Sequence, residues 1–166
     1  MAEPNVPSIS APIRTALDAI RLSRRVPGMA IGIIDGGTLS AFTGLGVLNT
    51  ETKERPTADS IFRVASITKT ITGTALLQLR DAGKLDLDDP IRRHLPEFNA
   101  VRIRRGSLEQ VTLRRLLSHH AGLISESPHN YWDSYEFPSI SEIIDSLDNA
   151  EIVLEADTAF KYSNLA

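Results

Sequence analysis

Residues 62–73, FRVASITKTITG, decide how this chain is read. A strand-like run ends, a serine follows, and a helix begins. Ser66 and Lys69 stand at i and i+3, so on a helix they face the same way. The serine hydroxyl then lies beside the lysine amine. A free serine hydroxyl is a weak nucleophile at neutral pH and needs a neighbouring base or a site that stabilises negative oxygen. A lysine serves as that base only when its pKa falls well below about 10.4, which burial and nearby positive charge both bring about. The exposed amides at a helix start favour the developing negative charge. The apolar neighbours Val64, Ala65, Ile67 and Ile71 point to partial burial of the amine. Alone, S-x-x-K is a weak signal: about one chance match is expected in a chain of this size. A helix-capping serine followed by an exposed lysine is the simpler explanation of an isolated match.

On the N-terminal side, residues 1–9 read as a loose polar arm. A helix is expected from Ser10 as cap, with Pro12 in its first turn and Ile13, Ala16, Leu17 and Ile20 at helical spacing. VPG at 26–28 stops it. MAIGIID (29–35) and TLSAFTGLGV (38–47) read as a hairpin joined by Gly36-Gly37, with Gly44 and Gly46 hinting at a bulge or a close backbone approach. On the C-terminal side, the helix from Ser66 runs to a stop at Gly83. Residues 84–98 are turn-rich. A helix capped by Thr112 and stopped by Gly122 is expected within 107–123, and another over 139–153 with Ser139 or Ser141 as cap. Nothing after residue 48 clearly supplies a further strand, and two strands make only a marginal sheet.

The bounds are those of a soluble globular chain: 166 residues, 42% hydrophobic, 23% charged, net charge −3. That balance does not suggest a nucleic-acid binder. With no cysteine there is neither disulfide nor thiolate metal site. The first residues lack a basic and apolar leader pattern, and no run approaches the roughly 18 apolar residues of a membrane span. A cytoplasmic location is the expectation.

Three blocks in order turn the weak motif into a specific one. DSIFRVASITKTITGTALLQLRDAGKLDLDDPIRRHLPEF (59–98), VTLRRLLSHHAGL (111–123) and FKYSN (160–164) together resemble the serine β-lactamase and penicillin-binding-protein superfamily, in its class C β-lactamase and esterase branch. They resemble the nucleophile helix, the helix-and-turn that follows, and the Y-x-N motif. The hairpin at 26–47 resembles the first two strands of the family sheet. The resemblance covers about residues 10–166. It implies an α+β, β-lactamase/transpeptidase-like fold: an antiparallel sheet flanked by helices, plus a helical subdomain. Residues 1–63 would be the N-terminal helix and hairpin, and 64–166 the mostly helical part.

By the same resemblance, Ser66 would be the nucleophile that forms an acyl-enzyme. Lys69 would help take its proton, and Tyr162 would be the general base. Asn164 would hydrogen-bond the lysine or the substrate amide, and the Ser66 N–H would form half of an oxyanion hole. The three protons of Ser66, Lys69 and Tyr162 form a coupled set. No cofactor or metal is implied. The substrate would be a small-molecule or peptide ester or amide, as for an esterase, a β-lactamase, a D-alanyl peptidase or a D-amino-acid amidase. The sequence departs from the pattern at Ala156-Asp157, where the family has Pro-Gly, and at His120-Ala121 in the turn. The family's third motif and C-terminal strands are not matched. The chain therefore reads as an N-terminal half, completed by a second chain or a missing segment. A non-catalytic binding or scaffold protein that keeps the fold is the alternative.

Three further features have plain readings. His119-His120 lacks metal-ligand spacing. The seven arginines between Arg92 and Arg115 read as a solvated face, or else as a docking patch for an acidic partner or for membrane headgroups. Tyr131, Trp132, Tyr135 and Phe137 hold four of the nine aromatics. They read as local core or, with Trp132 as a substrate contact, as a wall of the acyl pocket.

Overall fold

The computed structural model describes residues 6–129 and 136–166. It falls into two compact units, one ending at Val64 and the other spanning Ala65–Ala166.

In the first unit, helix α1 (Ala11–Ser23) has Pro12 in its first turn, where the missing N–H costs nothing. Ser10 occupies the cap position but makes no side-chain cap bond. Arg21 closes the exit by donating to Asp18 (2.6 Å) and to the Val26 carbonyl (3.0 Å). Strands β1 (Gly28–Asp35) and β2 (Thr38–Gly46) pair antiparallel. Gly36 and Gly37 both take positive φ, 54° and 78°, as a tight two-residue hairpin turn requires. The bulge lies between Ile33 and Ile34 rather than at the glycines. Gly44 marks the expected close approach: a Cβ there would stand 2.0 Å from the Pro56 carbonyl oxygen.

In the second unit, a short 3-10 turn (Ala65–Ile67) leads into α2 (Thr68–Asp81). Helix α3 (Leu113–Leu117) follows, with Thr112 as cap. It is shorter than expected. His119, at φ 60°, turns the chain out of it, and Gly122 comes later. Helix α4 (Ile140–Asp145) starts with a capping box between Ser139 and Glu142. The helix expected over 139–153 ends there, because Glu151–Ile152 is a strand. The expectation of no strand after the hairpin is likewise corrected. β3 (Arg102–Ile103) pairs parallel with β4 (Glu151–Ile152), and Leu123 bridges to Ile152.

These pieces surround one core: Phe98, Val101, Val111, Ala121, Leu123, Leu147, Ala150 and Ile152. Val111 and Ala150 are wholly buried. Five of the seven arginines between Arg92 and Arg115 pair with carboxylates, and Arg102 donates to the Asn149 carbonyl. Arg92 pairs with Glu109, Arg93 with Asp89, Arg104 with Glu151, Arg114 with Asp88 and Arg115 with Asp157. Among the described residues no helix is long and apolar enough to cross a membrane.

Candidate active site

Ser66 lies in the turn before α2, not at its cap; the cap position belongs to Ile67, without a side-chain bond. Ala65, just before it, takes φ 45°. A left-handed alanine costs on the order of 1–3 kcal/mol and persists only where its surroundings enforce it. Lys69 sits in the first turn of α2 and is half-buried. Ile67 and Ile71 do not cover it, being 64% and 66% exposed. Its burial comes from the segment that carries Tyr162 and Asn164.

That segment is pinned along residues 119–126 by a ladder of hydrogen bonds. The Asp157 N–H donates to the His120 carbonyl (3.0 Å), the Lys161 N–H to the His119 carbonyl (2.9 Å) and the Asn164 N–H to the Ser125 carbonyl (2.6 Å). Asp157 takes φ 61°, so an aspartate makes the turn where the family pattern has glycine. Ser163, 1% exposed, points inward and donates from Oγ to the Ile124 carbonyl (2.8 Å). Its neighbours Tyr162 and Asn164 reach Ser66 and Lys69, across 96 and 95 residues of sequence. The Y-x-N spacing thus works as alternation about a buried serine.

The geometry is compact. The Tyr162 phenol donates to Ser66 Oγ at 2.7 Å. Lys69 Nζ donates to Asn164 Oδ1 at 2.7 Å and lies 5.1 Å from the centre of the Tyr162 ring. The Tyr162 phenol is held below its ordinary value, first by the Ser66 hydrogen bond and then by the hydrogen bond and charge of Lys69. Burial and the Glu126 charge oppose this. Of the residues singled out in the sequence, four converge: Ser66, Lys69, Tyr162 and Asn164. Trp132, with Tyr131 and Tyr135, lies outside the described residues.

Two neighbours of the site were not named as site residues from the sequence: His119, which stands inside the VTLRRLLSHHAGL block, and Glu126. The His119 ring stacks at a tilt on Tyr162, with centroids 4.4 Å apart, and its Nδ1 accepts from the Ser163 N–H (3.3 Å). Burial, then the Lys69 charge, push this imidazole below its ordinary value. Glu126 accepts from Asn164 Nδ2 at 2.9 and 3.1 Å. His120 instead bonds the Ser118 carbonyl (2.8 Å), so the two adjacent histidines face different partners. No cluster of three or more potential metal ligands occurs among the described residues. A cleft of about 440 Å³ opens beside Lys69 and Asn164, walled also by Thr68, Leu116 and His119.

The human mitochondrial protein named serine beta-lactamase-like protein LACTB is 36% identical over 110 residues, 66% of this chain and 20% of that protein. A D-amino acid amidase from Ochrobactrum anthropi SV3, solved with L-phenylalanine amide, superposes with a TM-score of 0.71 at 27% identity. The match covers 92% of this chain and 42% of that one. A class C beta lactamase from Rhodobacter sphaeroides gives a TM-score of 0.68 at 25% identity, over 94% and 41%. The chain thus spans about a fifth of the curated relative and about two fifths of each solved neighbour. It has the β-lactamase/transpeptidase-like fold of those neighbours. The Beta-lactamase family model matches residues 13–166, and on this the chain belongs to the β-lactamase family of serine hydrolase type.

Proposed function

We propose that this protein is a serine hydrolase that cleaves an ester or amide through an acyl-enzyme on Ser66. One observation carries the reading: Tyr162 meets Ser66 Oγ at 2.7 Å while Lys69, anchored on Asn164, stands beside the same phenol. The phenol donates in the resting state, so its proton must first pass to solvent. Lysine charge nearby favours the phenolate. Ser66 Oγ then gives its proton to Tyr162 and bonds the substrate carbonyl carbon. The tetrahedral oxyanion collapses, the alcohol or amine departs with the Tyr162 proton, and water releases the acid by the reverse path. The Ser66 N–H is one oxyanion donor in this scheme.

The reading includes a further segment, in this chain's continuation or in a second chain, that completes the sheet and cleft. Support comes from the longer relatives, from the two-stranded β1–β2 sheet, and from α2, none of whose residues is buried. The amidase and β-lactamase neighbours favour a small amide, lactam or ester over a macromolecule.

A fluorophosphonate probe followed by intact-mass spectrometry tests the proposal. Ser66 Oγ displaces fluoride from phosphorus and leaves one phosphonyl adduct. The expected result is an adduct on this chain, absent from Ser66→Ala and formed about 10²–10⁴-fold more slowly in Tyr162→Phe, the range of a lost general base. No adduct on the chain completed by its further segment would overturn the enzymatic reading in favour of a non-catalytic protein that keeps the fold.

A further inference from the structure

The geometry points to Glu126 as a positioning residue: its carboxylate takes the Asn164 amide nitrogen, turns the amide oxygen toward Lys69, and so sets where the lysine ammonium stands beside Tyr162. The inference rests on the acyl-enzyme reading.

The argument is one of donors and acceptors. A carboxylate only accepts and an ammonium only donates. Asn164 lies between the two, with Nδ2 2.9 and 3.1 Å from the Glu126 oxygens and Oδ1 2.7 Å from Lys69 Nζ. Flipping the amide would set oxygen against carboxylate and NH2 against ammonium, so only one orientation satisfies both neighbours. The whole relay is half-buried, where charge-assisted hydrogen bonds are strong. It is also held from behind. The Asn164 N–H is fixed on the Ser125 carbonyl at 2.6 Å, and Ser125 Oγ accepts from Lys161 Nζ at 2.9 Å. Asn164 thus holds Glu126 with its amide nitrogen and the lysine with its amide oxygen. Glu126 also adds a negative charge facing Tyr162. Among the described residues, the other charged or titratable groups placed against that phenol are Lys69 from α2 and His119 from the turn after α3.

Two variants separate position from charge. Glu126→Gln keeps the length and an accepting oxygen but loses the charge and can present its own NH2. Glu126→Ala loses everything. The first readout does not need activity. With 13Cζ-labelled tyrosine, the chain gives three signals, and Tyr162 is assigned by its loss in Tyr162→Phe. Glu126→Gln should lower the Tyr162 titration midpoint, since a negative charge near the phenol is removed. The Asn164 side-chain amide signals should move in both variants. The second readout is the fluorophosphonate reaction. In Glu126→Ala the limiting rate should fall about tenfold or more with little change in half-saturating probe. In Glu126→Gln it should fall less.

Unchanged Tyr162 and Asn164 signals in both folded variants would overturn the proposal even if Ser66 labels normally. Equal labelling rates in wild type and both variants would overturn it too. Shifted signals in a chain whose Ser66 never labels would keep Glu126 as the amide's anchor and count against the acyl-enzyme reading instead.

Discussion

The imidazole of His119 stands against the phenol of Tyr162 and takes a hydrogen bond on Nδ1 from the Ser163 N–H, a bond that only the neutral ring accepts there. Burial and the charge of Lys69 hold the ring below its ordinary value of about 6.5. The sign follows from proton counting. As pH falls below about 6.5, the unfolded chain binds a proton on this histidine before the folded chain does, so stability is complete above that pH and declines below it. The decline continues until the folded ring itself titrates. His119→Asn removes the titration and tolerates the left-handed backbone at φ 60°. Urea midpoints between pH 7.5 and 5 should therefore fall more steeply in the wild type than in His119→Asn. Parallel curves would mean that the ring titrates as in the unfolded chain.

Gly122 belongs to the element that presents Ser125 and Glu126. It takes φ 74°, and a Cβ there would stand 2.1 Å from the Leu154 carbonyl oxygen, a backbone atom with no room to yield. Its own carbonyl accepts from the Val153 and Leu154 N–H groups. Gly122→Ala should cost more than about 1 kcal/mol from the backbone conformation alone, with the collision added. It should slow Ser66 labelling as well, because the 123–126 stretch must shift; chemical denaturation and probe kinetics check both. The sequence read this glycine as a helix stop, since Gly after an apolar periodic run usually is one. The stop instead falls at His119, a left-handed non-glycine of a type that takes this conformation more often than most but too rarely to mark a stop by itself. The β1–β2 hairpin was legible because Gly36-Gly37 punctuates two apolar runs. β3 and β4 were not, being two residues each and joined across 49 positions of sequence. The same contrast holds at the site. Ser66, Lys69, Tyr162 and Asn164 stand in short motifs with fixed spacing. Glu126 reaches the site only through the folding of 119–126 against 157–164, which leaves no local pattern, while His119 stands inside the VTLRRLLSHHAGL block without its place beside Tyr162 being legible there.

At the scale of the molecule, apolar burial is uneven. The Ala65–Ala166 unit has its core around Val111, Leu123 and Ile152. Helix α2, in the same unit, has no buried residue, and Ile67 just before it and Ile71 within it are mostly exposed. Most helices in proteins owe their stability to packing of an apolar face rather than to propensity, and 14 residues, with Gly73 and several threonines among them, form only a marginal helix alone. Yet α2 carries Lys69 and sets the turn that aims Ser66. Hydrogen exchange read by mass spectrometry should therefore find α2 amides less protected than those of 121–124 and 150–153, whose carbonyl and amide partners lie in the core. In a longer form carrying the segment that we propose completes the sheet, α2 protection should rise toward the core value, and the rate of Ser66 labelling should rise with it. If α2 is already as protected as the Leu123 region in this chain, its exposed face is not a surface awaiting cover. Readiness of the nucleophile would then be a property of these 166 residues rather than of the completed molecule.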